Sequence, residues 1–297
     1  MAAAPGPGAA WLAYDGRGFH GQAARRGSCS DVSPLQSRFS ASTPRRALVV
    51  AALGLAALAT LALPFAGLVL STPWPGLHLQ PGDAAAVSTS LVYTALAMVV
   101  VALLGTPAAW LLARREFPGK WLCDILVLLP LLTPPLAMGL LLSISFGPYG
   151  WLGRPLGHAG LVLTNTPAAF VLAQVYASAP YFIVAARAAF EGVPRELEQM
   201  SMSLGQSASR TFVRITLPLA GLGLGAALAL AWVRALGEFG VVLIVAYYPQ
   251  GIPVRLWVNL QDTGMSAVYP LLWLFFAVGL PLPLLGGLWS RRAGVRA

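Results

Sequence analysis

The sequence predicts an all-α membrane protein with six transmembrane helices and both termini in the cytoplasm. Of its 297 residues, 57% are hydrophobic and 10% are charged, whereas soluble domains carry about 25% charged residues. Several apolar runs reach the roughly 20 residues that a helix needs to cross a hydrocarbon core. These runs are continuously apolar, which excludes the alternating pattern of β-barrel strands.

The apolar runs begin after a polar N-terminal segment. Residues 1–44 contain few large apolar residues, so we expect either a disordered cytoplasmic tail or a misassigned start codon. Residues 45–297 then form the transmembrane domain. Residues 241–246 are apolar but too short to cross a membrane alone. The six longer runs cover approximately residues 47–70, 86–113, 121–142, 166–190, 217–235 and 268–289.

The third run contains three prolines, Pro130, Pro134 and Pro135. Proline removes a backbone hydrogen bond and clashes with the preceding turn, so we expect this helix to be kinked or interrupted. Within a membrane, the freed carbonyl groups are tolerated only where protein or water satisfies them. We therefore expect other helices to surround this run.

The distribution of basic residues sets the predicted orientation. With the N-terminus inside, the inner loops and ends near the membrane hold twelve basic residues, and the outer loops hold only Arg154 and Arg255. Basic residues collect in cytoplasmic loops, so this asymmetry places both termini in the cytoplasm. The twelve inner residues are Arg45, Arg46, Arg114, Arg115, Lys120, Arg187, Arg195, Arg210, Arg214, Arg291, Arg292 and Arg296.

The composition argues against nucleic-acid binding, metal binding and enzymatic activity. Positive inner loops explain the net charge of +9 without a nucleic-acid partner. Cys29 and Cys123 are far apart and form no CxxC pair, so neither a disulfide nor a metal site is expected. The single lysine, Lys120, lies in the sequence PGKW, whereas a P-loop requires lysine followed by serine or threonine. We expect the chain to bind no cofactor and to hydrolyse no ATP.

The most informative polar segment is residues 191–218, which the orientation places in the cytoplasm. Pro194 suits the first position of a helix, where its missing N–H costs nothing. Glu196 and Glu198 then fall in the first turn, where the helix dipole favours negative charge. Gly205 occupies the usual position of a glycine that ends a helix. We therefore predict a short helix that ends in a turn at Gly205.

This short helix is predicted to be amphipathic. Its polar residues are mainly acidic or neutral, whereas a helix lying on a lipid surface favours basic residues on its polar face. Docking onto a soluble protein is therefore the favoured interpretation, and a lipid-surface helix is the alternative. Ser207 can cap a second short helix before Pro218 opens the fifth span. The apolar face consists of Val193, Leu197, Met200 and Leu204.

The end of this segment resembles a family motif. Gly205 is followed by nine residues and then by Ile215, Leu217 and Pro218 in an I-x-L-P pattern. This spacing resembles the EAA loop of ATP-binding-cassette importer permeases, in which E-A-A and three further residues precede the glycine. Residues 199–201 read QMS where that family has E-A-A, so that Glu196 or Glu198 would supply the acidic charge.

The resemblance implies a type I importer permease fold and a set of partners. In such importers the loop forms a coupling helix that sits in a groove of a cytoplasmic ATPase, and closure of the ATPase dimer on ATP and Mg switches the pathway by alternating access. The partners would be two ATPase subunits, an extracytoplasmic substrate-binding protein and a second permease copy in the bilayer of a bacterial cytoplasmic membrane. The coupling residues would be Glu196, Glu198, Gln199, Met200, Leu204, Gly205, Ile215, Leu217 and Pro218.

A second copy also follows from the span count. Six spans are few for a transport pathway, and no internal repeat is visible, so a homodimer is the economical arrangement. A secondary transporter, which usually contains related halves, is the alternative. A membrane enzyme is a further alternative, although no Ser/His/Asp grouping supports it.

A second pattern, RALGEFG at residues 234–240, suggests the transported solute. Arg234 and Glu238 lie four residues apart on one helix face, and ionisable groups at membrane depth are usually paired or functional. The segment resembles that of molybdate, tungstate and sulfate permeases, which implies a pathway at Arg234, Glu238 and Gly240. Arg234 would face the anion while Glu238 is neutralised. From the residues alone, a structural ion pair that fixes the end of the fifth span is the favoured interpretation. Related permeases with the same architecture carry iron, phosphonates, polyamines or thiamine.

Overall fold

The computed structural model describes residues 44–285, with side chains from residue 48 onwards. Within this range all regular secondary structure is helical, and turns and loops connect the helices. The predicted tail, Cys29, and the three arginines near the C-terminus lie outside the described residues. The twelve α-helices are α1 Pro44–Ser71, α2 Asp83–Arg114, α3 Lys120–Leu132, α4 Pro135–Phe146, α5 Gly153–His158, α6 Pro167–Glu191, α7 Arg195–Ser203, α8 Ala208–Thr211, α9 Leu217–Leu236, α10 Gly240–Val245, α11 Ile252–Asp262 and α12 Met265–Gly279.

The number of membrane spans agrees with the sequence prediction. Five helical segments in the described range are long and apolar enough to cross a membrane, and the bent pair α3 and α4 makes six if it is counted as one span. The sixth predicted run begins at Met265, and its end beyond Leu285 lies outside the described residues. The five continuous segments are Leu48–Ser71, Asp83–Arg114, Pro167–Glu191, Ala208–Leu236 and Met265–Leu285.

The third span is interrupted at its prolines, as expected. The chain bends by 116° between α3 and α4, and Pro134 and Pro135 occupy the start of α4. The hydroxyl of Thr133 donates to the Leu129 carbonyl at 2.7 Å, so a side chain contributes at the end of α3. This chain by itself does not surround α3, which has no buried residue within it, so the expectation that other helices enclose this span stays a prediction for that half. Only α4 buries side chains, because it packs against α10.

The core is formed by α2, α6 and α9, which pack along one another. Small residues allow this close approach: a Cβ atom at Gly223 would lie 2.5 Å from the Cβ of Ala189. Gln174 joins all three helices, because its amide donates to the Thr94 hydroxyl at 2.8 Å and to the Ala235 carbonyl at 3.2 Å. Small residues and side-chain hydrogen bonds are the usual means by which helices associate in a membrane.

The outer end of α2 is joined to α11 by a buried cluster. Asp83 is completely buried, and its Oδ1 accepts hydrogen bonds from Arg255 Nε at 3.1 Å and Asn259 Nδ2 at 3.0 Å. The backbone N–H of Ile252 also donates to Ser90 on α2 at 2.7 Å. The Asp83–Arg255 contact is called the outer ion pair below. The sequence placed Arg255 in an outer loop. In the structure Arg255 lies on α11 and pairs with Asp83.

The first helix forms part of a separate unit that ends at Gly67. It has 28 residues, and Pro64 lies within it. All side chains from residue 48 to residue 67 are exposed in the single chain. Its length and apolar composition match a membrane span. The exposed apolar side chains are consistent with a surface that faces lipid or another subunit.

Candidate functional site

The polar segment forms two short helices around a glycine turn, as predicted. Gly205 follows α7 with a φ of +85°, a left-handed conformation that glycine adopts without steric cost. Ser207 caps α8 by accepting the backbone N–H of Arg210 at 3.4 Å. One prediction is off by a residue, because Pro194 precedes α7 as its N-cap and is not its first helical residue.

A second difference concerns where the fifth span begins. A π-helical turn, Phe212–Thr216, connects α8 directly to α9, so the span extends over Ala208–Leu236. Pro218 therefore lies within a continuous helical span and does not open it. The predicted residues Ile215 and Leu217 are half-buried in this connection. No loop therefore separates α8 from α9.

The two least exposed residues of α7 are directed toward the rest of the chain. Ser201 is buried, and its hydroxyl lies 3.0 Å from that of Thr211, which joins α7 to α8. Glu198 is the other, and its side chain is 16% exposed. Of the two glutamates that could supply the charge of the altered E-A-A motif, Glu198 is directed inward and Glu196 is exposed.

Glu198 anchors α7 to the inner ends of two core helices. Its Oε1 lies 3.0 Å from Arg114 Nη2 at the end of α2, and it accepts the hydroxyl of Thr216 at 2.7 Å. The Arg114 side chain is only 6% exposed and also donates to the Val193 carbonyl at 2.8 Å. A pair this well buried is costly to break from one side, because the remaining charge loses its partner. The Arg114–Glu198 contact is called the inner ion pair below.

Another face of α7 is apolar, and its side chains are exposed in the described chain. Leu204 is 82% exposed and Met200 62% exposed, and Leu197 lies beside them on the same helix face. Of the predicted stripe, only Val193 is buried. Gln199 and Glu196 are exposed next to it. Clusters of exposed large apolar side chains with a polar rim are typical of protein-interaction surfaces.

Three further ion pairs of the described residues lie near the inner ends of the helices. Arg187 on α6 contacts Asp124 on α3 at 2.6 Å and Glu191 at 2.8 Å. In the turn before α3, the hydrogen bond and charge of Lys120 hold the pKa of Glu116 below its ordinary value. That stabilisation is present above the ordinary carboxylate pKa and is lost as the pH falls through the lowered value. Because Glu116 is fully exposed, solvent screens the pair.

The second predicted site, residues 234–240, contains the expected contact between Arg234 and Glu238. Arg234 Nη1 donates to Glu238 Oε2, and the backbone N–H of Val241 donates to Glu238 Oε1 at 2.8 Å. The Glu238 side chain is 1% exposed, whereas that of Arg234 is 26% exposed. The guanidinium also lies 5.5 Å from the centre of the Tyr181 ring. The carboxylate is therefore neutralised and enclosed, while part of the cation remains accessible.

Gly240 brings α10 against the break in the third span. A Cβ atom at this position would lie 2.8 Å from Pro135 Cβ and 3.1 Å from the Leu136 nitrogen. Gly139 makes the reciprocal close approach, since its Cβ would lie 2.9 Å from that of Ile244. The absence of side chains at both glycines lets two short helices meet directly beside Arg234 and Glu238.

Several residues of these sites could not be recognised from the sequence. Arg114 counted only as an inner charge, and Asp83 lies before the second predicted run, which was placed at residues 86–113. Their partners lie far along the chain, with Arg255 172 residues after Asp83. The one available signal was that Asp83 and Arg114 are the first and last residues of a mainly apolar stretch of 32 residues. Charged residues at both ends of so long a helix suggest anchoring contacts, but do not identify the partners.

Comparison with known proteins agrees with this architecture. A "Probable molybdenum ABC transporter permease protein" of Haloferax volcanii is 40% identical over 185 residues, which are 62% of this chain and 67% of the relative. The molybdenum transport system permease protein ModB of Escherichia coli is 38% identical over 184 residues, or 60% and 80% of the two chains. The molybdate/tungstate transport system permease protein WtpB of Thermococcus kodakarensis is 34% identical over 187 residues, or 63% and 70%.

Solved structures show the same fold. A bacterial alginate ABC transporter in complex with alginate pentasaccharide-bound periplasmic protein matches with a TM-score of 0.66 at 16% identity, covering 84% of this chain and 96% of that one. An amino acid ABC transporter matches with a TM-score of 0.53 at 19% identity, covering 71% and 93%. A model of the family described as "Binding-protein-dependent transport system inner membrane component" matches residues 103–293. The chain therefore belongs to this family, the membrane-spanning permease subunits of ATP-binding-cassette importers.

Proposed function

We propose that this chain carries molybdate or a related oxyanion, tungstate or sulfate, across the cytoplasmic membrane of a bacterium. The observation that carries the choice of solute is the group of relatives at 34–40% identity, which are named as molybdenum or molybdate/tungstate permeases. Arg234 adds a physical argument. Its guanidinium is partly exposed and its acidic partner Glu238 is enclosed, so an approaching anion meets the cation first.

A partner ATPase would drive the conformational change of this chain by moving α7. The exposed apolar residues of this helix support this proposal, because such residues on one helix face commonly bind a groove in a partner protein. The partner would be an ATPase subunit, present in two copies, which binds ATP and Mg. The permease contributes no catalytic group to hydrolysis in this arrangement and acts as the moving part.

The two ion pairs offer a route for that movement. The inner ion pair fixes α7 to one end of α2, and the outer ion pair fixes the other end of α2 to α11. A helix of 32 residues is about 48 Å long, which is enough to connect both membrane surfaces. Displacement of α7 would therefore reach the outer side by rigid-body motion, the basis of alternating access.

The complete importer would contain a second permease copy and a substrate-binding protein on the outer face. The exposed surface of α3 supports the second copy, because the chain alone leaves this interrupted span uncovered. A homodimer would place two copies of Arg234 around one pathway.

Competition during uptake tests the proposed solute. Proteoliposomes containing the permease, its ATPase and its binding protein are loaded with ATP, and uptake of radioactive molybdate is measured. Tungstate in excess is expected to reduce uptake at least tenfold, with sulfate weaker. Phosphonate, a polyamine, thiamine or iron should leave it unchanged. Strong competition by one of these instead, with none by tungstate, would replace molybdate as the solute while leaving the importer class intact.

A further inference from the structure

A cavity lies between the inner end of α2 and the two short helices α7 and α8. Its volume is about 300 Å³, and three arginines line it: Arg114 at the end of α2, Arg115 directly after α2, and Arg195 from α7. Glu198 is the only acidic residue in its lining. The cavity therefore carries an excess of two positive charges when the arginines are protonated.

The arginines retain unused hydrogen-bond donors. Arg114 employs Nη2 for Glu198 and the Val193 carbonyl, but its Nε is buried without a partner. Arg195 makes one long bond of 3.4 Å to the Ala113 carbonyl. A buried N–H without an acceptor is costly, so Arg114 Nε is a group that a bound acceptor would satisfy.

Arg115 is held at the cavity by an aromatic wall. Its guanidinium lies 5.9 Å from the centre of the Trp110 ring, which in turn packs edge-on against Phe212 at 5.6 Å. Among the residues that the structure describes, Arg115 has no acidic partner. The planar guanidinium of Arg115 is thus held in place with donors available for an anion. A guanidinium can bind a tetrahedral oxyanion through two parallel hydrogen bonds.

We propose that this cavity binds a phosphate-type oxyanion, which bridges the end of α2 and α7. The anion would come from the headgroup of an anionic lipid or from free phosphate. The cavity lies where the second span ends, on the side rich in basic residues, and basic pockets at this depth bind anionic headgroups. A bound anion would restrain α7 next to its exposed docking face, and this binding does not depend on which solute the importer carries.

The experiment uses the purified full chain in two kinds of nanodisc. In the first, the bilayer is phosphatidylcholine alone and inorganic phosphate is titrated; in the second, phosphatidylglycerol is included and retained lipid is counted by native mass spectrometry. Hydrogen exchange of residues 195–211 reports ordering of the loop. Arg115→Gln is expected to weaken binding about tenfold, since it removes a charge-assisted two-point contact. Arg115→Lys should fall in between, because it keeps the charge without the fork.

Arg210→Gln is the matched control. Arg210 is an exposed arginine of α8 that does not line the cavity, so this variant makes the same change of charge and should bind like the wild type. Protection by phosphate without phosphatidylglycerol identifies a free anion, and retention of phosphatidylglycerol alone identifies a headgroup; both support the site. The proposal is overturned if neither ligand binds, or if the Arg115 and Arg210 variants lose binding equally.

Discussion

Glu198→Ala is expected to reduce ATP-driven uptake at least tenfold while the protein still inserts and folds. The substitution removes one half of the inner ion pair and leaves the Arg114 guanidinium, 6% exposed, without its carboxylate. Breaking a buried pair from one side can cost about 3 kcal/mol. That energy is comparable with the stability of a short helix held by few contacts, so α7 should detach from α2.

Uptake and ATP hydrolysis are measured together to identify the step that fails. The expected signature is hydrolysis that no longer responds to the substrate-loaded binding protein. Arg114→Gln combined with Glu198→Gln removes both charges, and it should recover part of the activity that either single variant loses. Glu116→Gln, in an exposed turn, serves as control. Full coupling in the Glu198→Ala protein would show that α7 transmits motion without this anchor.

The same measurement resolves the choice between the two acidic residues. The sequence left open whether Glu196 or Glu198 supplies the charge of the altered E-A-A motif. Glu198 contacts Arg114 and Thr216, whereas Glu196 is exposed. Glu196→Gln should therefore disturb coupling less than Glu198→Gln. A larger effect at Glu196 would assign its charge to the contact with the ATPase.

Arg234→Gln is expected to have the second large effect, a loss of both stability and uptake. It leaves Glu238, whose side chain is 1% exposed, as an unpaired buried carboxylate. One remaining contact, the Val241 N–H at 2.8 Å, does not replace a positive charge. The cost is about 3–5 kcal/mol for a buried pair broken from one side, and an uncompensated negative charge would also repel an oxyanion.

The double variant Arg234→Gln with Glu238→Gln separates structure from transport. Removing both charges should restore the midpoint of thermal unfolding in detergent to near the wild-type value. If Arg234 also attracts the anion, molybdate uptake should remain at least tenfold below wild type. Recovery of uptake together with stability would assign the pair a structural role only.

Hydrophobic length and charge alone predicted most of the fold. Six apolar runs became five continuous spans and one bent pair, because bilayer thickness fixes the length of an uninterrupted helix. The break at Pro134 and Pro135 was predicted because proline cannot complete the helical hydrogen bonds. The angle of 116° and the exposure of α3 depend on packing against helices that are distant in sequence, so local sequence does not determine them.

The candidate sites were predictable only where partners are close in sequence. Arg234 and Glu238 are four residues apart, so helix geometry alone brings them together. The turn at Gly205 was equally local. The inner and outer ion pairs instead join residues from different helices, and a single sequence contains no signal for which charges meet. The stripe on α7 was recognised, but its outward direction depends on contacts of Glu198 with Arg114 at the end of α2 and of Ser201 with Thr211 on α8.

The energy source of uptake tests the central claim most directly. Permease, ATPase and binding protein are reconstituted together, and molybdate accumulation is followed with ATP, without ATP, and with an imposed proton gradient. The account predicts accumulation that requires ATP and the partner subunits and is unaffected by collapse of the gradient. Accumulation by the purified permease alone, driven by a proton or sodium gradient, would contradict it.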